Sequence, residues 1–212
     1  PDYIDKGPLT NSGVQTNAAS QPTWSSADGG VYSFDGVDDV IPVADSASIQ
    51  NIFDGGGTIT AWVNLVTLGE GSGGRVVDKR SASGTGFIFF TETAASKLAF
   101  LQEFSGGLGR WDTTAVVATN EWLMVAVSYD SGSTANNPLL YINATSEALS
   151  ETATPSGTRD SDVGQTLNVG NVDNLSATTD GSLDDVRIYD TALTAAQIGA
   201  IYTNTATTYG IS

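Results

Sequence analysis

The segment SLDDVRIYDTALTAAQIGAIY, residues 182–202, combines the pattern of a β-strand with that of a helix. In its second half the apolar residues recur on one helical face: Leu193, Ile198, Ile201 and Tyr202. Asp190 or Thr191 is suited to cap the start of that helix. The first half is typical of a strand, yet it places two carboxylates, Asp184 and Asp185, side by side. A strand that carries two adjacent carboxylates needs a physical reason for them.

Upstream of this segment, short β-rich runs recur from Val31 onward, and each run ends at Gly, Asp, Asn or Ser. The runs are VYSF, VIPV, TITAWVNL, RVVDK, GFIFF, KLAFLQ, EWLMVAVSY, PLLYIN, TLNVG and LDDVRIY. Regular short strands separated by turn residues predict an all-β sandwich or barrel. The run WLMVAVSY is apolar on both faces, which predicts a strand covered on both sides. Residues 1–30 are rich in turn residues and are predicted to be loops.

Composition narrows the function before any motif is considered. The 212 residues fit one all-β domain, and no apolar run is long enough to span a bilayer. The net charge of −16 repels phosphate backbones and anionic lipid, so we expect no nucleic-acid partner and no membrane insertion. A salty, calcium-rich extracellular medium would screen such a charge, although solubility alone explains it as well. Because the chain has no histidine and no cysteine, the usual Ser–His, Cys–His and zinc chemistries are excluded.

Taken in order, several stretches resemble the laminin-G-like jelly rolls of the concanavalin A-like lectin/glucanase superfamily. They are SFDGVDDVIPV, TITAWVNL, VVDKR, EWLMVAVSYD, LYIN, LNVGN and GSLDDVRIYDTALTAAQIGAIY, over about residues 31–202. The resemblance implies an all-β, two-sheet antiparallel sandwich of the jelly-roll type with one short C-terminal helix. We interpret residues 1–212 as a single such domain from a longer chain, because the sequence begins at Pro1 rather than Met.

The N-terminal edge departs from the pattern of these relatives. Members usually open with a strand before a loop rich in Asp, Ser, Gly and Asn, and DYIDKGPLTNSG resembles that loop with almost nothing before it. Either the first strand lies upstream of Pro1, or another segment fills the edge of the sheet.

Two acidic clusters, SFDGVDD (33–39) and SLDDVRIY (182–189), lie near opposite ends of the sequence. In a jelly roll the first and last strands are neighbours, so the clusters can meet at one edge. In calcium-bearing relatives an aspartate before a V-R-hydrophobic-Tyr run ligates a structural ion, and Asp184 holds the matching place. The resemblance therefore implies calcium bound by Asp184, Asp35 and the Gly36 carbonyl, with Asp38 as a possible fourth ligand. Turn capping and an ion pair with Arg187 are the alternative explanation for these aspartates.

Laminarinase-type relatives hydrolyse glycosides with two glutamates and an aspartate on one strand. Here only Glu147 and Glu151 have the spacing that puts two glutamates on one face, and the residues between them are Ala, Leu and Ser. We expect no catalysis and interpret this pair as the solvated face of a strand.

Sugar-binding sites need an aromatic platform and several polar groups. The best candidate is EFSGGLGRWDTT (103–114), which could lie beside the glycine-rich loop LGEGSGGR (68–75). The predicted ligand-binding residues are Trp111, Arg110, Phe104 and Arg75. Core packing remains the alternative for Trp111, the pattern assigns Trp62 and Trp122 to the core, and Trp24 is a weaker candidate.

These observations predict a non-catalytic, calcium-stabilised module that recognises a surface glycan or polysaccharide in adhesion or attachment. It would lie outside the cell, at a cell surface or on a virion, beside neighbouring domains of a larger chain or assembly. The alternative is a purely structural module of a phage tail, a capsid or a giant adhesin; a hydrolase or lyase is the third possibility.

Overall fold

The computed structural model describes residues 2–3 and 6–211, which form two antiparallel sheets packed face to face. Within these residues one α-helix is present, α1 (Ala195–Thr205). The strands are β1 (Asp2–Tyr3), β2 (Gly13–Val14), β3 (Thr23–Ser25), β4 (Val31–Asp35), β5 (Ile41–Val43), β6 (Gly57–Leu65), β7 (Arg75–Asp78), β8 (Phe87–Glu92), β9 (Lys97–Gln102), β10 (Gly109–Val116), β11 (Trp122–Tyr129), β12 (Leu139–Ile142), β13 (Thr145–Ser146), β14 (Leu149–Ala153), β15 (Leu167–Val169) and β16 (Asp180–Tyr189). The predicted sandwich with a short C-terminal helix is confirmed.

The nine-stranded sheet has the order β1-β2-β5-β15-β7-β8-β9-β10-β14, and the seven-stranded sheet has the order β13-β12-β11-β6-β16-β4-β3. Each of the ten predicted β-rich runs forms a strand. The prediction of loops throughout residues 1–30 is wrong, because β1, β2 and β3 lie there, and β1 and β3 are edge strands of the two sheets. A segment before Val31 therefore fills each of these edges, which is one of the two possibilities that the sequence leaves open.

The core lies between the two sheets and follows the period of two in the strands. In β6, Ile59, Ala61 and Val63 point into this core, whereas Trp62 points outward. The same alternation in β11 places Val125 inside. Its outward residues are buried as well, since Met124 and Ala126 belong to a second cluster beneath α1. The prediction that this strand is covered on both faces is confirmed.

Helix α1 and the turn after it cover the outer face of the seven-stranded sheet. The indole of Trp62 stacks on the ring of Tyr209 with 4.2 Å between centroids, and its Nε1 donates to Thr205 Oγ1 at 2.9 Å. The helix begins one turn later than predicted, because Thr194 rather than Asp190 or Thr191 forms the capping box, with Gln197. No helix in the described part of the chain has the length and apolarity of a membrane span.

The two adjacent carboxylates of β16 lie at a β-bulge. The register of β16 against β6 shifts between Asp184 and Arg187, and Asp185 adopts a left-handed φ of 47°. At this bulge the two side chains have different hydrogen-bond partners. Asp184 Oδ2 accepts a 2.7 Å hydrogen bond from the Tyr209 hydroxyl, and Asp185 accepts bonds of 2.8 and 2.7 Å from Arg187. Asp184 therefore anchors the C-terminal turn, and Asp185 binds Arg187. The ion pair with Arg187 is part of the alternative explanation for these aspartates.

A fully buried lysine joins two loops at one end of the sandwich. The Lys79 ammonium lies 2.9 Å from Asp45 Oδ1 and 2.9 Å from Asp162 Oδ1, and it also donates to the Asp162 carbonyl at 2.8 Å. We call Lys79, Asp45 and Asp162 the lysine hub. Partial burial alone would raise the pKa of Asp45, but hydrogen bonds from Lys79 and its other donors lower it below its ordinary value. The VVDKR run of the sequence thus ends at a structural anchor.

Replacing Lys79 by Met should lower the free energy of unfolding by about 3–5 kcal/mol, because the buried carboxylate of Asp162 and the partly buried one of Asp45 would lose their cation. Urea denaturation at pH 7 measures the loss. Lys6→Met, at an exposed lysine, is the control and should change it by less than about 0.5 kcal/mol. Equal, small effects of both substitutions would contradict the assigned role.

Candidate functional site

The outer face of the nine-stranded sheet carries a cluster of arginines over an aromatic floor. In β8, Phe87 and Phe89 point into the core, whereas Ile88 and Phe90 belong to a separate cluster on the outside. Two guanidinium groups lie against the Phe90 ring: the Cζ atom of Arg75 is 5.0 Å and that of Arg110 is 5.3 Å from its centroid. These are cation–π distances. The side chains of Arg75 and Arg110 thus meet, but their loops do not lie side by side as predicted. The loop before β7 lies at the end of β8, where the Thr91 N–H donates to the Gly74 carbonyl, and the loop before β10 lies at the start of β8, where the Glu103 N–H donates to the Gly86 carbonyl.

Each arginine of this face is held by its own carboxylate. Arg75 Nε is 3.3 Å from Asp78 Oδ2, and Arg110 Nε is 2.9 Å from Asp112 Oδ1. A third pair follows β7, where Nε of Arg80 donates to a carboxylate oxygen of Glu103 at 2.7 Å. We call this set the arginine face; its members are Arg75, Asp78, Arg80, Phe90, Glu103, Arg110 and Asp112. Its three cations and three anions cancel, so it is neutral within a strongly acidic chain.

The arginine face is partly open to solvent. The side chains of Arg80 and Arg110 are 35% and 31% exposed, whereas their carboxylate partners are almost fully buried. Buried anions beneath half-exposed guanidinium groups leave N–H donors pointing to solvent in fixed positions. Such donors suit a polar ligand with several oxygen atoms, whereas the Phe90 ring beneath them is itself buried.

The electrostatics of the arginine face are strongly coupled. Burial raises the pKa of Asp78 to about 6, although the backbone N–H of Arg80 and the charge of Arg75 oppose the rise. Burial also lowers the pKa of Arg75, and the neighbouring charges of Arg80 and Arg110 lower it further against the attraction of Asp78. Asp78 therefore prefers its neutral form more in the folded chain than in the unfolded chain.

Two of the predicted ligand-binding residues lie elsewhere. Trp111 is 1% exposed and packs in the core between the sheets, where its Nε1 donates to Asn137 Oδ1 at 2.9 Å. It follows Arg110 directly in β10, and successive residues of a strand point to opposite faces. Phe104 is also buried in the core, although its edge lines a pocket at one end of the sandwich. Neither ring offers an open platform to a ligand on the arginine face.

Trp24 is far more exposed than Trp111. It lies in the edge strand β3 and is 59% exposed, and among the described residues it is the one aromatic residue in the set of exposed large hydrophobics. Trp62 is buried beneath α1, as its pattern predicted, and Trp122 is partly buried there, where its Nε1 donates to Asp28. Glu147 is partly buried just before the edge strand β14, and Glu151 is exposed within that strand.

The predicted calcium ligands are only partly brought together. Strands β4 and β16 do pair, with Asp180 opposite Asp35 and Leu183 opposite Tyr32. Asp184 therefore lies about 13 Å along the strand from the Asp35 position, at roughly 3.3 Å per residue. Its carboxylate binds Tyr209 instead. The prediction that Asp184 joins Asp35 does not hold, because Asp184 lies four residues further along β16 and Asp180 occupies the place beside Gly36.

An acidic cluster does form at the end of β4, from Asp35, Asp38 and Asp39, whose carboxylate oxygens lie within 4.8 Å of one another. Gly36 makes the turn between them with a left-handed φ of 74°. Asp39 is buried and accepts a 2.9 Å bond from the Asp35 N–H, and Asp38 accepts from Ser20 Oγ at 3.1 Å. Burial, together with the charges of Asp35 and Asp38, raises the pKa of Asp39 to about 6 in spite of that hydrogen bond.

Comparison with known families matches residues 35–199 to a laminin G family model described as the concanavalin A-like lectin/glucanases superfamily. A comparison with curated protein sequences found no significant match.

Solved structures with a similar fold include binding domains of bacterial toxins. The chain superposes on the binding domain of Paraclostridial Mosquitocidal Protein 1 with a TM-score of 0.66 and 14% identity, over 94% of this chain and 54% of that one. For the botulinum neurotoxin serotype G binding domain the TM-score is 0.63 with 11% identity, over 97% and 50%. The chain thus spans about half the length of these toxin domains.

A neighbour of similar size is domain 4 of AbnA, a GH43 extracellular arabinanase from Geobacillus stearothermophilus, in complex with arabinotriose. Its TM-score is 0.62 with 16% identity, over 90% of this chain and 85% of that one. At these identities the similarities demonstrate the shared fold.

The pKa of Asp78 predicts how stability depends on pH. An acid whose pKa is raised in the folded state stabilises the fold below its unfolded pKa, and that contribution is lost as the pH rises through the folded value. For Asp78 the window runs from about 4 to about 6, and the difference from the ordinary 3.8 corresponds to about 3 kcal/mol at most.

In Asp78→Asn this contribution disappears, so the wild type should lose up to about 3 kcal/mol more than the variant between pH 4 and pH 7. Urea denaturation across that range measures the difference, and Asp190→Asn, at an exposed aspartate, is the control. The free energy of unfolding of the wild type minus that of Asp78→Asn should therefore fall as the pH rises. If this quantity stays constant or increases between pH 4 and pH 7, the assignment is wrong.

Proposed function

Because the chain belongs to a laminin G family of the concanavalin A-like lectin/glucanases superfamily, we propose that it is a non-catalytic glycan-binding module that uses the arginine face. The observation that carries this proposal is the pair of partly exposed guanidinium groups, Arg80 and Arg110, each held by a buried carboxylate, with Arg110 also lying over the Phe90 ring.

The chemistry of the arginine face suits sugar hydroxyls. Each guanidinium offers several N–H donors, and each is already oriented by a carboxylate, so little side-chain freedom is lost when a ligand binds. Because the three ion pairs of the face cancel in charge, a ligand need not bring a counter-charge. A neutral or weakly charged polysaccharide fits this requirement better than a highly charged polymer.

Several structures of the same fold support a sugar ligand. The AbnA domain is described in complex with arabinotriose. Cell entry of botulinum neurotoxin type C is described as dependent on interaction with two ganglioside molecules, and the neurotoxin DC binding domain is described in complex with SialylT. These descriptions concern those proteins, and they support a carbohydrate as the first ligand class to test.

The setting we propose is outside the cell, at a cell surface or on a virion, where the module serves adhesion or attachment beside neighbouring domains. A net charge of −16 is tolerated in a salty medium, and single sites of modest affinity gain strength when copies are repeated.

We further propose that the acidic cluster binds calcium through Asp35, Asp38 and Asp39, with the Gly36 carbonyl as an additional ligand. Three carboxylates within 4.8 Å match the oxygen donors that calcium prefers. A cation would also offset the burial and the mutual repulsion that together raise the pKa of Asp39. Asp184 is not part of this proposed set, because its carboxylate binds Tyr209. The bound ion would brace the β4 turn.

If the arginine face binds sugars, Arg110→Gln should reduce binding on a glycan array at least tenfold, about 1.4 kcal/mol, because Gln removes the charge and most of the donors. The matched control is Arg187→Gln. Arg187 is similarly exposed at 39% and is also paired with a carboxylate, but it lies on the other sheet.

Circular dichroism of both variants establishes that they fold. Equal binding by wild type and Arg110→Gln would contradict the proposed site. An array on which the folded wild type binds no glycan would contradict the function itself and favour a purely structural module.

Calcium at the acidic cluster should raise the melting temperature, since an ion that binds only the native state adds about 2.7 kcal/mol at a hundredfold excess over its dissociation constant. Differential scanning calorimetry with a chelator or with millimolar calcium measures this shift. Asp35→Asn should abolish the shift, whereas Asp190→Asn should retain it. The proposal fails if the wild type melts at the same temperature in both solutions.

A further inference from the structure

A row of mostly small polar side chains crosses the outer face of the seven-stranded sheet, on the opposite side of the sandwich from the arginine face. Its five residues lie directly opposite one another on successive strands, in the order β11, β6, β16, β4 and β3. At about 4.8 Å between neighbouring strands, the row is roughly 19 Å long. We call it the polar strip; its members are Trp122, Asn64, Ser182, Ser33 and Thr23.

The polar strip lies in a groove between rows of longer side chains. Side chains on one face of a strand recur at every second residue. On one side of Ser182, the next outward residue of β16 is Asp184, which is covered by Tyr209 through a 2.7 Å hydrogen bond. On the other side it is Asp180, which pairs with Asp35 of β4. Because serine is shorter than these neighbours, the middle of the strip forms the floor of the groove.

The floor of this groove offers hydrogen-bonding groups to solvent. Thr23 is exposed, and the other four members of the strip are partly exposed. The hydroxyls of Ser33 and Ser182 lie 3.0 Å apart, and their bond uses one of their two protons and leaves the other free to donate. The side-chain amide of Asn64 makes no hydrogen bond to any described residue. Its two N–H donors and its carbonyl oxygen are therefore available to a ligand.

Trp122 closes one end of the polar strip with an aromatic surface. Its Nε1 donates to Asp28 at 3.1 Å, and its ring packs against Tyr209 with 4.7 Å between centroids. These contacts hold the indole beside Asn64, which lies directly opposite in β6. A partly exposed indole next to an unpaired amide and two hydroxyls combines the apolar and polar groups that a sugar-binding site needs.

Charge selects the class of sugar. Asp28, Asp35 and Asp180 border the polar strip, and none of them forms an ion pair within the part of the chain that the structure describes. The groove therefore lies in a field of uncompensated negative charge, in a chain whose net charge is −16. Such a field repels uronic acids and sulfated sugars, so the ligand that complements the groove is an uncharged one.

We propose that the polar strip binds an uncharged oligosaccharide, whose hydroxyls bind Asn64 and the two serines and one of whose rings lies against Trp122. The proposal rests on the proposed function in that the module binds glycans. It adds a second site on the opposite sheet, so one copy of the module can bridge two polysaccharide chains. Because the strip has no charged donor, it binds more weakly than the arginine face and contributes little to binding on an array.

Nuclear magnetic resonance of the ¹⁵N-labelled chain tests this site, with millimolar arabinotriose, maltotriose or trigalacturonate added separately. The Asn64 side-chain amide, the Trp122 indole N–H and the Ser182 backbone amide should shift with a neutral sugar and not with trigalacturonate. Asn64→Leu removes the amide at similar volume and should raise the dissociation constant at least tenfold. Asn204→Leu, at an exposed asparagine of α1, is the matched control and should leave it unchanged. Ser33→Leu, which fills the groove, should abolish the shifts.

Circular dichroism establishes that these variants fold. Three results would overturn the proposal: no shift of these groups with either neutral sugar, unchanged affinity in both Asn64→Leu and Ser33→Leu, or tighter binding of trigalacturonate than of the neutral sugars.

The polar strip and the arginine face can be told apart. If Arg110→Gln loses array binding and the strip of the wild type shows no shifts, the polar strip alone is wrong. If the strip shifts and Arg110→Gln keeps full array binding, the arginine face alone is wrong.

Discussion

The antiparallel pairing of β16 with both β4 and β6 is the constraint on which the rest of the structure depends. It places a strand from the C-terminal part of the chain inside the seven-stranded sheet, with Leu183 opposite Val63 on one side and Tyr32 on the other. Leu183 is buried in the main core. Without this pairing the seven-stranded sheet would divide between β6 and β4, and α1, which follows β16, would lose its position over Trp62.

The ion pairs of the lysine hub and of the arginine face, and the Phe90 ring, are held in place by the sandwich. The lysine hub holds two loops at one end of the sandwich, and each arginine of the arginine face has its own carboxylate. Isolated charges in such positions would be costly, so the pairing explains how they are tolerated. The same pairing orients the guanidinium groups on the outer face of the nine-stranded sheet.

Sequence patterns predicted the fold more completely than the candidate site. Apolar runs with turn residues were sufficient for ten strands, but β10 carries Asp112 and two threonines and so shows no such run. The run FIFF hides its period, so nothing in it indicates that Phe90 faces outward. Arg110 and Trp111 are adjacent, and in a strand they cannot face the same ligand. Arg75 and Asp78 pair beside a register shift in β7, and Asp184 lies at the bulge in β16. Neither irregularity leaves a clear signal in the sequence.

Native-state hydrogen exchange tests the central role of β16 most directly, because it resolves which strands open together. If β16 closes the sandwich, its amides around Leu183 and those of β6 and β11 should exchange only through global unfolding, with the free energy that urea denaturation gives. Exchange of the β16 amides at a clearly lower free energy, while β6 and β11 stay protected, would contradict the account.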